Sequence, residues 1–158
     1  MEFWNFFSSK RPKVNDNFFG EMLFMEVKNC PADSYLECWC HFEPANEEIE
    51  LGISGNLSGP TQVQKNFFRQ VEKDYALLIQ KLISIIETTY QKEQFEFKAK
   101  DFGREFKLTY LFIPTCVEKP IKWEIAFESV PGLVSYNYPY TLTIEMADYE
   151  PQHVSVSQ

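Results

Sequence analysis

From Thr61 to Thr88, apolar residues recur every three or four positions: Val63, Phe67, Val71, Tyr75, Leu78, Leu82 and Ile85. That spacing is one stripe of an α-helix and fits no strand. Leu77, Ile79, Ile83 and Ile86 widen the stripe in its second half, which predicts that this half is the more buried. Thr61 and Gln64 have the T-x-x-Q spacing of a capping box, and Pro60 before them suits a helix start. A helix of this extent is about 42 Å long at 1.5 Å per residue. It should either break near Thr88-Thr89 or overhang what it packs on.

The segments on either side alternate with a period of two, the signature of strands. Before the helix, Phe18 to Val27 is apolar on both faces, which predicts a strand covered on both sides. Tyr35 to Phe42 puts Leu36, Cys38, Cys40 and Phe42 on one face and Tyr35, Glu37, Trp39 and His41 on the other. Glu48 to Ile53 points Ile49, Leu51 and Ile53 inward and Glu48 and Glu50 outward. After the helix, strands are expected at Arg104–Ile113, Lys122–Glu128, Tyr140–Met146 and His153–Ser157. Tyr90 to Asp101 reads either as a helix tail or as a short strand at Phe95 and Phe97. Lys10-Arg11-Pro12-Lys13 reads as a polar linker, and the cluster of Phe3, Trp4, Phe6 and Phe7 as a short helix docked on the body. Strands in runs, rather than alternating with helices, predict an α+β fold. The expected architecture is one domain over residues 1–158. It has an antiparallel sheet in two runs, three strands and then three or four, on one long central helix, with a short N-terminal helix.

The chain's 158 residues carry 15 basic and 23 acidic side chains, a net charge of −8. That balance argues against nucleic-acid binding, which needs a basic footprint. No apolar run approaches the roughly 20 residues of a membrane span. The start, Met1-Glu2-Phe3-Trp4-Asn5, lacks the basic-then-apolar order of a secretory signal, so a cytoplasmic location is expected. Cys30, Cys38, Cys40 and Cys116 are then expected as free thiols.

The patterns that could carry chemistry are weak. Cys38-x-Cys40-His41 suggests a metal knuckle, but on a strand His41 points away from the two thiols, and structural zinc sites favour C-x₂₋₄-C pairs. His41 and His153 are the only histidines, with no G-x-S-x-G elbow to serve. The run Gly52–Gly59 lacks both the lysine and the spacing of a phosphate loop. No catalytic residue, cofactor or metal is therefore expected, and an enzyme is the less favoured class.

The charge layout is more informative. Between Lys28 and Lys65 there are six acids and no Lys or Arg, and after Lys122 there are five acids and again none. Glu48 with Glu50, and Glu124 with Glu128, share outward strand faces. Either they are a solvated surface, or they form a docking face steered toward a basic protein. The loop around Tyr136, Tyr138 and Tyr140 adds aromatic contact area of the kind enriched at interfaces, unless it packs back onto the sheet.

Asp16-x-x-Phe19-Gly20-Glu21, Ser58-Gly59-Pro60-Thr61-x-x-Gln64, Trp123-Glu124-Ile125 and Tyr149-Glu150-Pro151 resemble a loose group of uncharacterised bacterial proteins. Some members are immunity proteins of polymorphic-toxin loci. The resemblance implies a single α+β domain and a binding role, and it maps no catalytic residue. The expectation is thus a non-enzymatic binding protein, in its most specific form an immunity protein neutralising a basic toxin partner. The expected partner surface is Glu48, Glu50, Glu124, Glu128, Tyr136, Tyr138 and Tyr140. The alternatives are a small enzyme using carboxylates between sheet and helix, and a structural subunit of a homo-oligomer.

Overall fold

A computed structural model of the protein describes residues 11–92, 97–133 and 140–157. Asp16 organises its first hairpin. Its carboxylate accepts hydrogen bonds from the backbone N–H groups of Phe18 (2.8 Å) and Phe19 (3.0 Å), and Gly20 follows at φ +79°. The chain reverses there, so strand β1 (Lys13–Asp16) pairs antiparallel with β2 (Gly20–Met25). Two expectations are corrected. Lys13 opens a strand rather than closing a linker, and Phe18 and Phe19 belong to the turn rather than the strand. Both rings meet Phe68 edge-on instead, at centroid distances of 6.0 and 5.3 Å.

Strands β3 (Tyr35–Phe42) and β4 (Glu47–Ser54) complete a first meander of four, one more than the alternation predicts. Helix α1 (Gln62–Lys92) then crosses over, and a one-turn helix α2 (Phe102–Glu105) leads into β5 (Phe106–Ile113). The predicted start of this strand at Arg104 is therefore two residues early. Glu105, buried, accepts the backbone N–H groups of Lys100 and Asp101 and holds that turn closed. A second meander follows: β5, β6 (Lys122–Ser129), β7 (Thr141–Ala147) and β8 (Glu150–Ser157).

The fold is α+β, as its segment order predicts, but the strands do not stay in two runs. They form one eight-stranded sheet in sequential order. Every neighbouring pair is antiparallel except β4 and β5, which run parallel from Glu50↔Tyr110 to Ile53↔Ile113. A parallel pair needs a long crossover, and α1 supplies it.

The helix neither breaks at Thr88-Thr89 nor stops there. Both hydroxyls bond back to carbonyls four residues earlier, Ser84 (2.9 Å) and Ile85 (2.8 Å), so they are satisfied without leaving the helix. Burial is even along it rather than concentrated in the second half. Gln64, Phe67, Phe68 and Val71 are buried at one end and Leu78, Leu82, Ile86 and Tyr90 at the other, while Val63 and Leu77 face out.

The predicted capping box forms: Gln64 N–H donates to Thr61 Oγ1 (3.3 Å), and Thr61 N–H to Gln64 Oε1 (2.9 Å). Gln64 does more, because its amide nitrogen donates to the carbonyls of Ser54 (2.7 Å) and Pro114 (2.9 Å). Those residues end and follow the two parallel strands, so one buried side chain ties the helix start to the seam between the meanders. Lys65, one residue on, reaches Asp16 at 2.7 Å and ties the first hairpin to the same turn.

One face of the sheet packs on α1. Leu36, Cys38, Ile49, Leu51, Ile53, Leu111, Ile113, Trp123, Ile125, Phe127, Leu142 and Ile144 are buried there, with Phe67 edge-on to Trp123 at 5.5 Å and Phe42 to Phe68 at 5.8 Å. The expected N-terminal helix around Phe3–Phe7, and Phe95, lie outside the described residues. Among the described residues no helix is long and apolar enough to cross a membrane.

Candidate functional site

The face of the sheet turned away from α1 is uncovered among the described residues. Its make-up follows from register. One row across the strands runs Trp39 (β3), Glu50 (β4), Tyr110 (β5), Ala126 (β6), Thr143 (β7). The next runs Glu37, Gly52, Phe112, Glu124, Glu145, His153. Acids from both acidic blocks therefore stand on one surface, around an aromatic centre. Glu50 and Glu124 are two strands and one row apart, about 12 Å at 4.8 Å per strand and 3.4 Å per residue.

Tyr110 and Phe112 reach this face because of a bulge. Phe106 and Leu108 point at the helix; strict alternation would then send Tyr110 and Phe112 inward too. The β5–β6 register shifts between Leu108 and Tyr110. Thr109 is the extra residue, its hydroxyl donating to Ala126 O at 3.2 Å. After it, Leu111 and Ile113 are buried and the two aromatics face out. Gly52 gives the rings their floor: a Cβ there would sit 2.8 Å from a Phe112 ring carbon and 3.1 Å from the Tyr110 hydroxyl. Tyr35 meets Phe112 edge-on at 6.2 Å. Trp39, 67% exposed, is the most open aromatic of the patch.

The electrostatics of this face run one way. Burial, and then the charge of Glu37, push the Glu50 carboxyl above its ordinary value. Burial also raises the Tyr110 hydroxyl, helped by Glu124, Glu50, Tyr35 and Glu37, so the phenol stays neutral among carboxylates. Glu124 and Glu145 stand directly opposite each other on β6 and β7, a like-charge cross-strand pair that lowers stability. Lys122 precedes Glu124 by two residues on the same face, opposite Ala147. A groove of about 540 Å³ opens beside them, lined by Phe112, Lys122, Glu124, Glu145, Ala147 and Gln152.

The predicted surface residues divide three ways. Glu50 and Glu124 sit at the aromatic centre. Glu48 is exposed two residues from Glu50 and bonds His41 at 3.1 Å; Glu128 is exposed toward the far end of β6, opposite Lys107 and Thr141. Tyr140 is half-buried just before β7, its backbone exchanging hydrogen bonds with Ser129. Tyr136 and Tyr138 lie outside the described residues. The prediction omits Glu37, Trp39, Tyr110, Phe112 and Glu145. For Glu37, Trp39 and Glu145 the outward alternation of β3 and β7 is a readable signal; for Tyr110 and Phe112 the bulge hides it.

Cys38 and Cys40 lie on the helix side of β3, one buried and one half-buried, and His41 points to the open face. A hydrogen bond between the thiols lowers the Cys38 pKa and raises that of Cys40. Among the described residues no three His, Cys, Asp or Glu side chains group to hold a metal ion. No family model matches the chain, nor does any curated protein or solved structure.

Proposed function

We propose that this chain is a non-enzymatic binding protein that docks a basic protein partner on the open face of its sheet, most specifically an immunity protein neutralising a toxin. One observation carries this reading: the register brings Glu37 and Glu50 from one acidic block, and Glu124 and Glu145 from the other, onto one surface around Trp39, Tyr110 and Phe112. An acid-rimmed aromatic patch suits protein recognition, since aromatics supply contact area and carboxylates steer and select a positive partner. A nuclease toxin fits this chemistry, because its own substrate site must attract phosphate.

The test uses the protein encoded beside this gene. Reversing Glu50 and Glu124 to lysine should slow its association about tenfold or more at low salt and flatten the salt dependence. The fold should survive, because both side chains face solvent at least in part. An association rate unchanged by the double reversal, or no binding to the neighbour's product, overturns the reading.

A further inference from the structure

The open face is not uniform, and its groove beside Phe112 differs from the rest. Near Glu48 and Glu128, acids stand beside partial counter-charges: His41 bonds Glu48 at 3.1 Å, and Lys107 is the cross-strand partner of Glu128. In the groove two carboxylates stand directly opposite each other with a ring beside them, Phe112, Glu124, Glu145; Lys122 lies two residues from Glu124 on the same face, and His153 is the cross-strand partner of Glu145. Adjacent strands are about 4.8 Å apart, so the two carboxylates fall within reach of one planar cation, and the Phe112 ring stands one strand spacing beyond Glu124.

We infer that this groove is the anchor point for an arginine side chain of the basic partner, its guanidinium held between Glu124 and Glu145 and resting on the Phe112 ring. The inference rests on the docking reading above and sharpens it to one residue type. Three features favour arginine over a diffuse positive charge. The paired carboxylates repel each other when empty, and a cation between them removes that penalty. A guanidinium offers five donors in a planar fork, enough to serve two carboxylates at once, where an ammonium is a point charge. Its flat face also stacks on an aromatic ring, and Phe112 is fixed there by Tyr35 and by the missing Cβ of Gly52. The groove volume of about 540 Å³ admits the side chain with part of the chain that bears it.

The test needs no partner. Acetyl-Gly-Arg-Gly-amide and its lysine counterpart are titrated into the ¹⁵N-labelled protein, following amide shifts. The arginine peptide should bind with a dissociation constant in the millimolar range, shifting Phe112, Glu124, Glu145 and Ala147, and the lysine peptide should bind at least about threefold more weakly. Glu145→Gln should weaken the arginine peptide about tenfold, and Phe112→Leu about threefold. Glu128→Gln, outside the groove, should change it less than about twofold. Equal binding of the two peptides, equal effects of Glu145→Gln and Glu128→Gln, or no shifts in the groove would each overturn the anchor. Failure here leaves the docking reading to its own association assay, which reads the summed charge of the face through Glu50, outside the groove, as well as Glu124 within it.

Discussion

The two faces of the sheet are built from the same strands, residue by alternate residue, yet they obey different constraints. On the helix side, Ile49, Leu51, Ile125, Phe127 and Ile144 have no exposed surface, and volume and shape decide each choice. On the open side the same strands carry Glu50, Glu124 and Glu145 between partly exposed rings, and at Glu124 opposite Glu145 the pairing works against stability. Such a cost is what the recognition face proposed above would carry. The contrast teaches where to look: in this fold, the packed face and the proposed recognition face are one residue apart along every strand.

Substitutions can break that contrast. The largest effect is expected where the two faces differ most. Leu82→Ala, fully buried against the sheet, should cost about 2–5 kcal/mol in denaturant unfolding. Trp39→Ala, on the open face, should stay within about 0.5 kcal/mol while weakening the partner complex. If Trp39→Ala destabilises the protein as much as Leu82→Ala does, the open face is a second core and the contrast fails.

A smaller loss is expected at the joint between the meanders. Gln64→Leu keeps the volume but leaves the carbonyls of Ser54 and Pro114 without their side-chain donor, at a cost of about 1–3 kcal/mol. Hydrogen exchange should show the loss concentrated at the β4–β5 pairing. A uniform loss, or none, would mean that helix packing alone holds the seam.

The smallest effects are titrations, and they run in opposite directions. Burial raises the Asp16 carboxyl, but hydrogen bonds from Lys65 and from the Phe19 and Phe18 N–H groups outweigh it, so its pKa is lowered on folding. Its contribution is full above the unfolded value, about 3.9, and is lost as pH falls through the lower folded value. Glu50 is raised, by burial first and Glu37 second. Its ionisation therefore costs stability as pH rises through the window between its unfolded and its higher folded value. Asp16→Asn should flatten the acid limb of a stability–pH profile, and Glu50→Gln should remove the decline across that window. The reverse assignment of the two limbs would place Glu50 outside the desolvated centre of the face.

Much of this was legible in the chain itself. The stripe through Phe67, Val71, Leu78 and Leu82 announces the helix, Thr61 and Gln64 announce its cap, and the alternation of Trp123, Ile125 and Phe127 announces a half-covered strand. Strand β1 escapes because Lys13-Val14-Asn15-Asp16 has too little apolar patterning to show as a strand; it exists because Asp16 turns the chain back onto β2. That both acidic blocks share a surface is written in no local pattern. It depends on β4 and β5 pairing across the helix, and register between distant strands is a property of the packed molecule. Tyr110 and Phe112 look like core residues because a period of two, carried on from Phe106 and Leu108, puts them there.

The bulges also say something about the gene. The β5–β6 pairing is one residue out of step at Thr109, and the β7–β8 pairing is one out of step at Gln152. At those two positions the sheet already holds one codon more than its ladder needs. Losing that codon would make either ladder regular with every side chain still on its own face. Losing one elsewhere inside β5 or β8 would turn the rest of the strand over, sending carboxylates or rings to the wrong side. Of all the positions in these two strands, Thr109 and Gln152 are where the length of this protein can drift without its two faces changing places.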